Sequence, residues 1–143
     1  MLSDIDPEAQ ALKIVDSRII HREVRDFLDP KPLPKRPNWV VGNPPFTIFI
    51  EKGNRRTAVS SAEDHVRHAL SLSDNVAFLL RLNFLGGDER SDLWQAHPAK
   101  HVYVLSQRPS FTTDGSTDSC EYALFVWETG WRGQTALDVI SWR

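Results

Sequence analysis

A short apolar run that stops against two prolines constrains this chain more than any other stretch. Residues 38–46 read Asn-Trp-Val-Val-Gly-Asn-Pro-Pro-Phe. Trp39, Val40 and Val41 are too few and too β-branched for a helix and predict a buried strand. Gly42 breaks the run. Pro44 and Pro45 lack the N–H groups that a further ladder needs, and they prevent a helix from starting at once. A carboxamide (Asn43), a backbone carbonyl (Pro44) and a ring (Phe46) are thus presented together at the C-terminal end of a strand, where open α/β sheets bind ligands. The plain alternative is a Pro-Pro turn that only ends a strand.

That set of groups suits one kind of chemistry. The lone pair of an exocyclic amino group on a base is delocalised into the ring, so the nitrogen is a poor nucleophile. Two acceptors that bind its two N–H groups pull it toward a pyramidal geometry and free the lone pair. The side-chain oxygen of Asn43 and the carbonyl of Pro44 are candidates for those acceptors. Phe46 is a candidate to stack on the base, a contact worth ~1–3 kcal/mol.

Composition narrows the setting. The 143 residues predict a single domain spanning 1–143, large enough to bury a core without staples. Cys120 is the one cysteine, so no internal disulfide is available, which suits a cytoplasmic protein. The acidic start (Asp4, Asp6, Glu8) is unlike a secretory signal, and no apolar run approaches membrane-spanning length. The net charge of −2 means that any contact with nucleic acid is local. Lys31, Lys35 and Arg36 precede the Asn-Pro-Pro-Phe motif, and Lys52, Arg55 and Arg56 follow it. They read either as solvated loop charge or as a phosphate-contacting rim.

Along the chain, Leu2 to Asp6 resembles the end of a strand, and Pro7 to Lys13 predicts a helix. Ile19 to Val24 predicts a strand. Four prolines within 30–37 make an extended connector. Residues 52–56 read as an exposed loop. Ser60-Ser61-Ala62-Glu63 has capping-box spacing and opens a helix with Val66, Ala69 and Leu70 on one face. His65 and His68 on that helix have no evident third metal ligand and read as surface residues, so no metal is expected. Strands are predicted over 76–82, 101–105, 122–127 and from Ala136 to Trp142, with a short helix capped by Asp88. The pattern implies an α/β fold: a mostly parallel sheet with helices on both faces and an antiparallel hairpin at one edge.

Several segments together resemble the phage-type DNA N(6)-adenine methyltransferases, which use S-adenosylmethionine. They are Asn43-Pro44-Pro45-Phe46, Leu80-Arg81-Leu82-Asn83-Phe84-Leu85, Arg108-Pro109-Ser110-Phe111 and Tyr122 to Trp127, in that order. The resemblance implies a class I methyltransferase (Rossmann-like) sheet, methylation of adenine in DNA, and a base flipped out of the helix to expose its amino group. It implies catalytic roles for Asn43, Pro44, Pro45 and Phe46. It matches Asp4, or the neighbouring Asp6, to the acid that binds the donor's ribose, and Asp26-Phe27 to the pair that holds its adenine. A turn with a self-capping side chain is the alternative for Asp26. Arg108 and Phe111 would lie near the target base, with Lys35, Arg36, Arg55 and Arg56 on DNA; the alternative for Phe111 is a place in the core. The implied host is a bacterial or phage-infected cell.

The family's first motif, a glycine-rich turn around the methionine part of the donor, has no counterpart. None of the seven glycines precedes Gly42. The first strand and its glycine loop are therefore expected to be missing, leaving an apolar edge of the strand at 39–42 without a neighbour unless strands reorder or another chain supplies the piece. Donor binding by this chain alone is expected to be weak. Two further functions fit the same residues: a catalytically impaired remnant acting as a binding or assembly partner, and an amino-methyltransferase for RNA or protein glutamine.

Overall fold

The computed structural model describes residues 2–4, 22–24, 26–30, 32, 33, 35–52, 55–111, 115, 117 and 119–141, with residues 2–4, 22–24, 47–52 and 55–60 described by their backbone. The chain divides into two compact units, Met1–Pro34 and Lys35–Arg143.

In the first unit, strand β1 (Leu2–Asp4) pairs in parallel with β2 (Arg22–Val24), with Asp4 opposite Val24. A turn follows β2: Asp29 N–H donates to the Asp26 carbonyl (3.1 Å), and Leu28 N–H donates to the Asp26 carboxylate (2.9 Å). The expected helix over 7–13 and residue Asp6 lie outside the described residues.

The second unit holds a five-stranded sheet in the order β3-β6-β8-β7-β9. The strands are β3 (Val40–Gly42), β6 (Asn75–Arg81), β7 (His101–Leu105), β8 (Tyr122–Glu128) and β9 (Ala136–Ile140). Between β3 and β6 run a hairpin, β4 (Thr47–Lys52) with β5 (Arg55–Ser60), and helix α1 (Ala62–Leu72). Two short 3-10 turns (Leu82–Leu85 and Asp88–Arg90) and helix α2 (Ser91–Ala96) join β6 to β7.

The architecture is α/β, but the sheet is mixed rather than mostly parallel. β3–β6 and β7–β9 are parallel, while β6–β8 and β8–β7 are antiparallel. The last strand does not close an edge hairpin. Leaving β8, the chain crosses β7 through 129–135 and lays β9 parallel to it on the outer side.

Helices cover one face, not two, among the described residues. Register places Val76 and Phe78 of β6 opposite Trp127 and Phe125 of β8, and Val102 of β7 opposite Phe125. These side chains are buried with Val66, Ala69 and Leu70 of α1 and Leu93 of α2. Burying each large apolar side chain is worth about 1.5–3 kcal/mol. Trp94 of α2 stacks on Trp127 at 6.1 Å between ring centroids, and Trp127 Nε1 donates to the His97 carbonyl (3.1 Å). Arg67 of α1 bonds Glu63 (2.7 Å) and Asp92 of α2 (2.8 Å), which ties the two helices together. The opposite face carries Ala77, Leu79, Leu124 and Val126, and on β3 it carries Val41, which is 71% exposed.

Three local expectations are corrected. The capping box does not form: the residue before α1 is Ser61, not Ser60, and its side chain makes no cap bond. His65 is buried rather than on the surface, with Nδ1 2.8 Å from the Ser61 carbonyl. Arg55 and Arg56 belong to strand β5, paired with Lys52 and Glu51, rather than to an exposed loop.

Candidate functional site

Gly42 ends β3 beside the ring of Phe78, its partner on β6. A Cβ built on Gly42 would stand 3.3 Å from Phe78 Cε1. The chain then turns at the two prolines. Asn43 is exposed, Pro44 buried, Pro45 exposed and Phe46 half-buried. The turn is anchored from below: the hydroxyl of Ser61, itself fully buried, donates to the Pro45 carbonyl at 2.7 Å. The side chain at the N-cap position thus holds the motif against the start of α1 instead of capping the helix.

Phe46 sits in a cluster of rings. Tyr122 lies 5.4 Å from it between centroids and Phe111 6.5 Å, and Phe111 is 5.2 Å from Tyr122. The guanidinium of Arg81 lies over the Phe46 ring at 5.1 Å. Arg81 ends β6 and Tyr122 begins β8, and the two are paired in register. The β6–β8 ladder continues one step further, where Leu82 N–H donates to the Glu121 carbonyl (2.8 Å). Glu121 in turn accepts from Arg108 Nε at 2.9 Å. Reversal of β8 is what brings its first residues to the end of the sheet where β3 and β6 finish.

Beside Phe46 opens a cavity of about 180 Å³ lined by Leu80, Arg81, Asn83, Phe84 and Arg90 as well. Arg90 is well covered, with its side chain 14% exposed. Its Nε donates to the Phe84 carbonyl (3.2 Å), its Nη2 to the Gly86 carbonyl, and its guanidinium lies 5.0 Å from the Phe84 ring centroid. Two guanidinium groups and a carboxamide line this cavity, and no carboxylate does.

The structure therefore brings Asn43, Pro44, Pro45, Phe46, Arg108 and Phe111 to one end of the second unit. Phe111 is half-exposed at the edge of the ring cluster rather than sunk in the core. Arg36 is held elsewhere. It pairs with Asp74 (2.9 Å) and donates to the Ser71 carbonyl (3.1 Å), just before β6 begins. The seven residues of β6 separate that point from Arg81 by about 23 Å. Lys35 is exposed on the same approach to β3. Arg55 lies at the far end of the β4–β5 ladder from Thr47, and Arg56 is one pair nearer. Asp4, Asp26 and Phe27 belong to the first unit. There, parallel pairing puts the end of β1 and the turn after β2 at the same end of the ladder. Among the described residues no group of three or more His, Cys, Asp or Glu side chains is placed to hold a metal ion.

Sequence reasoning missed Ser61, Arg90 and Tyr122. Arg81 had a visible signal, a charge at the C-terminal end of an otherwise apolar strand. Tyr122 had none, since as the first residue of a strand it reads as core.

Among the described residues no helix is long and apolar enough to cross a membrane. No protein-family model matches this sequence, and no curated protein matches it.

Proposed function

We propose that this chain is the catalytic segment of an S-adenosylmethionine-dependent amino-methyltransferase acting on adenine in DNA. The observation that carries the reading is the presentation of Asn43 at the tip of β3, exposed and backed by an anchored Pro-Pro turn, beside the Phe46 ring and a cavity. The strand order gives support. β3-β6-β8-β7, with β8 reversed, corresponds to one half of a class I methyltransferase sheet.

The residues at hand fit the methyl donor in part. Asp4 and Asp26, at the same end of the β1–β2 ladder, would hold the ribose and the adenine of its nucleoside. One oxygen of Asp26 already accepts from Leu28 N–H, so the self-capping turn and the binding role share one side chain. The donor's methionine end calls for backbone that approaches closely, and no glycine precedes Gly42. When bound, the donor supplies a methyl group on a positively charged sulfur.

The chain's own residues do the rest. The Asn43 side-chain oxygen and the Pro44 carbonyl accept the two N–H groups of the target amine. Phe46 stacks on the flipped base, with Tyr122 behind it. No general base is needed before transfer, because the methylated ammonium is acidic and loses its proton afterwards. Transfer of labelled methyl from S-adenosylmethionine into adenine-containing DNA tests this. Asn43→Ala is expected to abolish it, and incorporation that survives this substitution overturns the reading.

A second reading is favoured by the edge strand β3, where Trp39 is 51% exposed just before the exposed Val41. A remnant that assembles with another chain would place that chain here. Calorimetric titration of S-adenosylmethionine separates the two: heat of binding supports the enzyme, and its absence the remnant.

A further inference from the structure

The cavity beside Phe46 is too small for a dinucleotide-sized or drug-sized ligand, which occupies about 300 Å³ or more. At about 180 Å³ it takes a compact group. Its polar lining is dominated by donors. A guanidinium offers five N–H groups and no acceptor, and a carboxamide adds two more donors. Arg81 and Arg90 bring two positive charges. The close hydrogen-bond partners of Arg90 are the neutral carbonyls of Phe84 and Gly86, while Glu89 stands 3.8 Å away and is 85% exposed. The low exposure of Arg90 keeps its field from being screened. The lining therefore favours a group that is rich in acceptors and negatively charged. A base amine is the opposite, and its proposed acceptors, Asn43 and Pro44, are not among the residues that line this cavity.

We infer that this cavity holds the phosphodiester adjoining the target nucleotide, gripped by Arg81 and Arg90 with Asn83 at the rim. Planar guanidinium forks match pairs of phosphate oxygens. Phe46 lines the cavity and directly follows Asn43-Pro44-Pro45 in the chain, so it belongs to both half-sites. Asn43 and Pro44 take the amine, Arg81 and Arg90 take the phosphate, and the nucleotide is fixed at both ends. This assignment rests on the reading of Asn43 to Phe46 as a nucleobase site, but it concerns separate residues and a separate part of the ligand.

The test uses the full chain and a single-stranded DNA 12-mer with one adenine, with binding read by fluorescence anisotropy. In matched oligonucleotides one phosphate on either side of the adenine is replaced by an uncharged methylphosphonate. One of these replacements is expected to weaken wild-type binding about tenfold, as for a lost charge-assisted hydrogen bond. The same replacement is expected to leave Arg81→Gln unaffected, because the variant has already lost that contact. The slope of log K against log salt is expected to fall by about 0.7 in the variant. Asn83→Asp, at an exposed position where folding is not at stake, is expected to weaken binding to the native strand but not to the methylphosphonate. Equal losses in wild type and both variants overturn the assignment.

Asn43→Ala keeps the phosphate sensitivity if the two half-sites are separate, so loss of methylation in it bears on the base site alone. A 31P line-broadening titration with inorganic phosphate separates the sources. Broadening that disappears in Arg81→Gln, in a chain that binds no oligonucleotide, keeps the anion site and overturns the nucleotide reading. No response to either ligand overturns both.

Discussion

The guanidinium of Arg81 lies 5.1 Å from the centre of the Phe46 ring, joining the last residue of β6 to the first ring after β3. Parallel pairing makes the meeting possible, because both strands finish at the same end of the sheet. A cation over a partly covered phenyl face contributes about 0.5–1 kcal/mol. Arg81→Met keeps most of the stem and is expected to lower the urea-unfolding free energy by about that amount. In the Phe46→Leu background the same change is expected to cost less, by the worth of this contact. A double-mutant cycle with no coupling shows the contact to be idle.

Ser61 anchors the motif through one hydrogen bond to the Pro45 carbonyl. Ser61→Ala leaves that acceptor without its buried partner and is expected to destabilise by about 1–2 kcal/mol. Methyl transfer is expected to fall by more than stability alone explains, because the turn that carries Asn43 loses its tether. Ser61→Thr, which keeps the hydroxyl, is expected to restore both in a thermal melt and a transfer assay run side by side.

Much of the second unit is legible in its residues. Val76 to Leu80, His101 to Leu105 and Tyr122 to Trp127 are β-rich and bounded by breakers, and each is a strand within a residue or two of its expected limits. Strand direction is not legible in the same way, since no local pattern tells β8 to run against β6 or β9 to pass over to β7. The β4–β5 hairpin is missed because lysine, arginine and glutamate dominate its distal half. At the site, Asn43 and the prolines announce themselves by type and order. Arg90 and Ser61 do not: Arg90 folds back on the carbonyls of its own connection, and Ser61 on one that the hairpin brings to it from sixteen residues away.

Gly42 leaves room for Phe78. Gly42→Val adds two methyl groups beyond the Cβ against that ring and is expected to cost about 1–3 kcal/mol by overpacking. Combining it with Phe78→Leu is expected to cost less than the two changes summed. Strict additivity in chemical denaturation would mean that the ring moves away freely.

The Arg67 hydrogen bond holds the Asp92 carboxyl below its ordinary range, and Glu63, the larger cause, with Asp92 raises Arg67. A carboxylate whose pKa is depressed by folding stabilises the native state above its unfolded pKa. The contribution is lost as pH falls through the folded value, below about pH 4. Asp92→Asn is therefore expected to lower the melting temperature slightly at neutral pH and to flatten its decline in acid. Parallel melting curves for the two proteins between pH 7 and pH 2 would remove Asp92 from the acid response.

Loop 106–121 leaves the sheet where Ser106 N–H meets the Ile140 carbonyl and returns where Glu121 meets Leu82. Both stems are stapled to neighbouring strands, and the seven-pair β6–β8 ladder sets the position of Tyr122 without help from the loop. Substitutions, insertions or deletions between the stems leave that ring where it is. The antiparallel course of one strand thus leaves the loop editable while the aromatic residue at its foot stays in register.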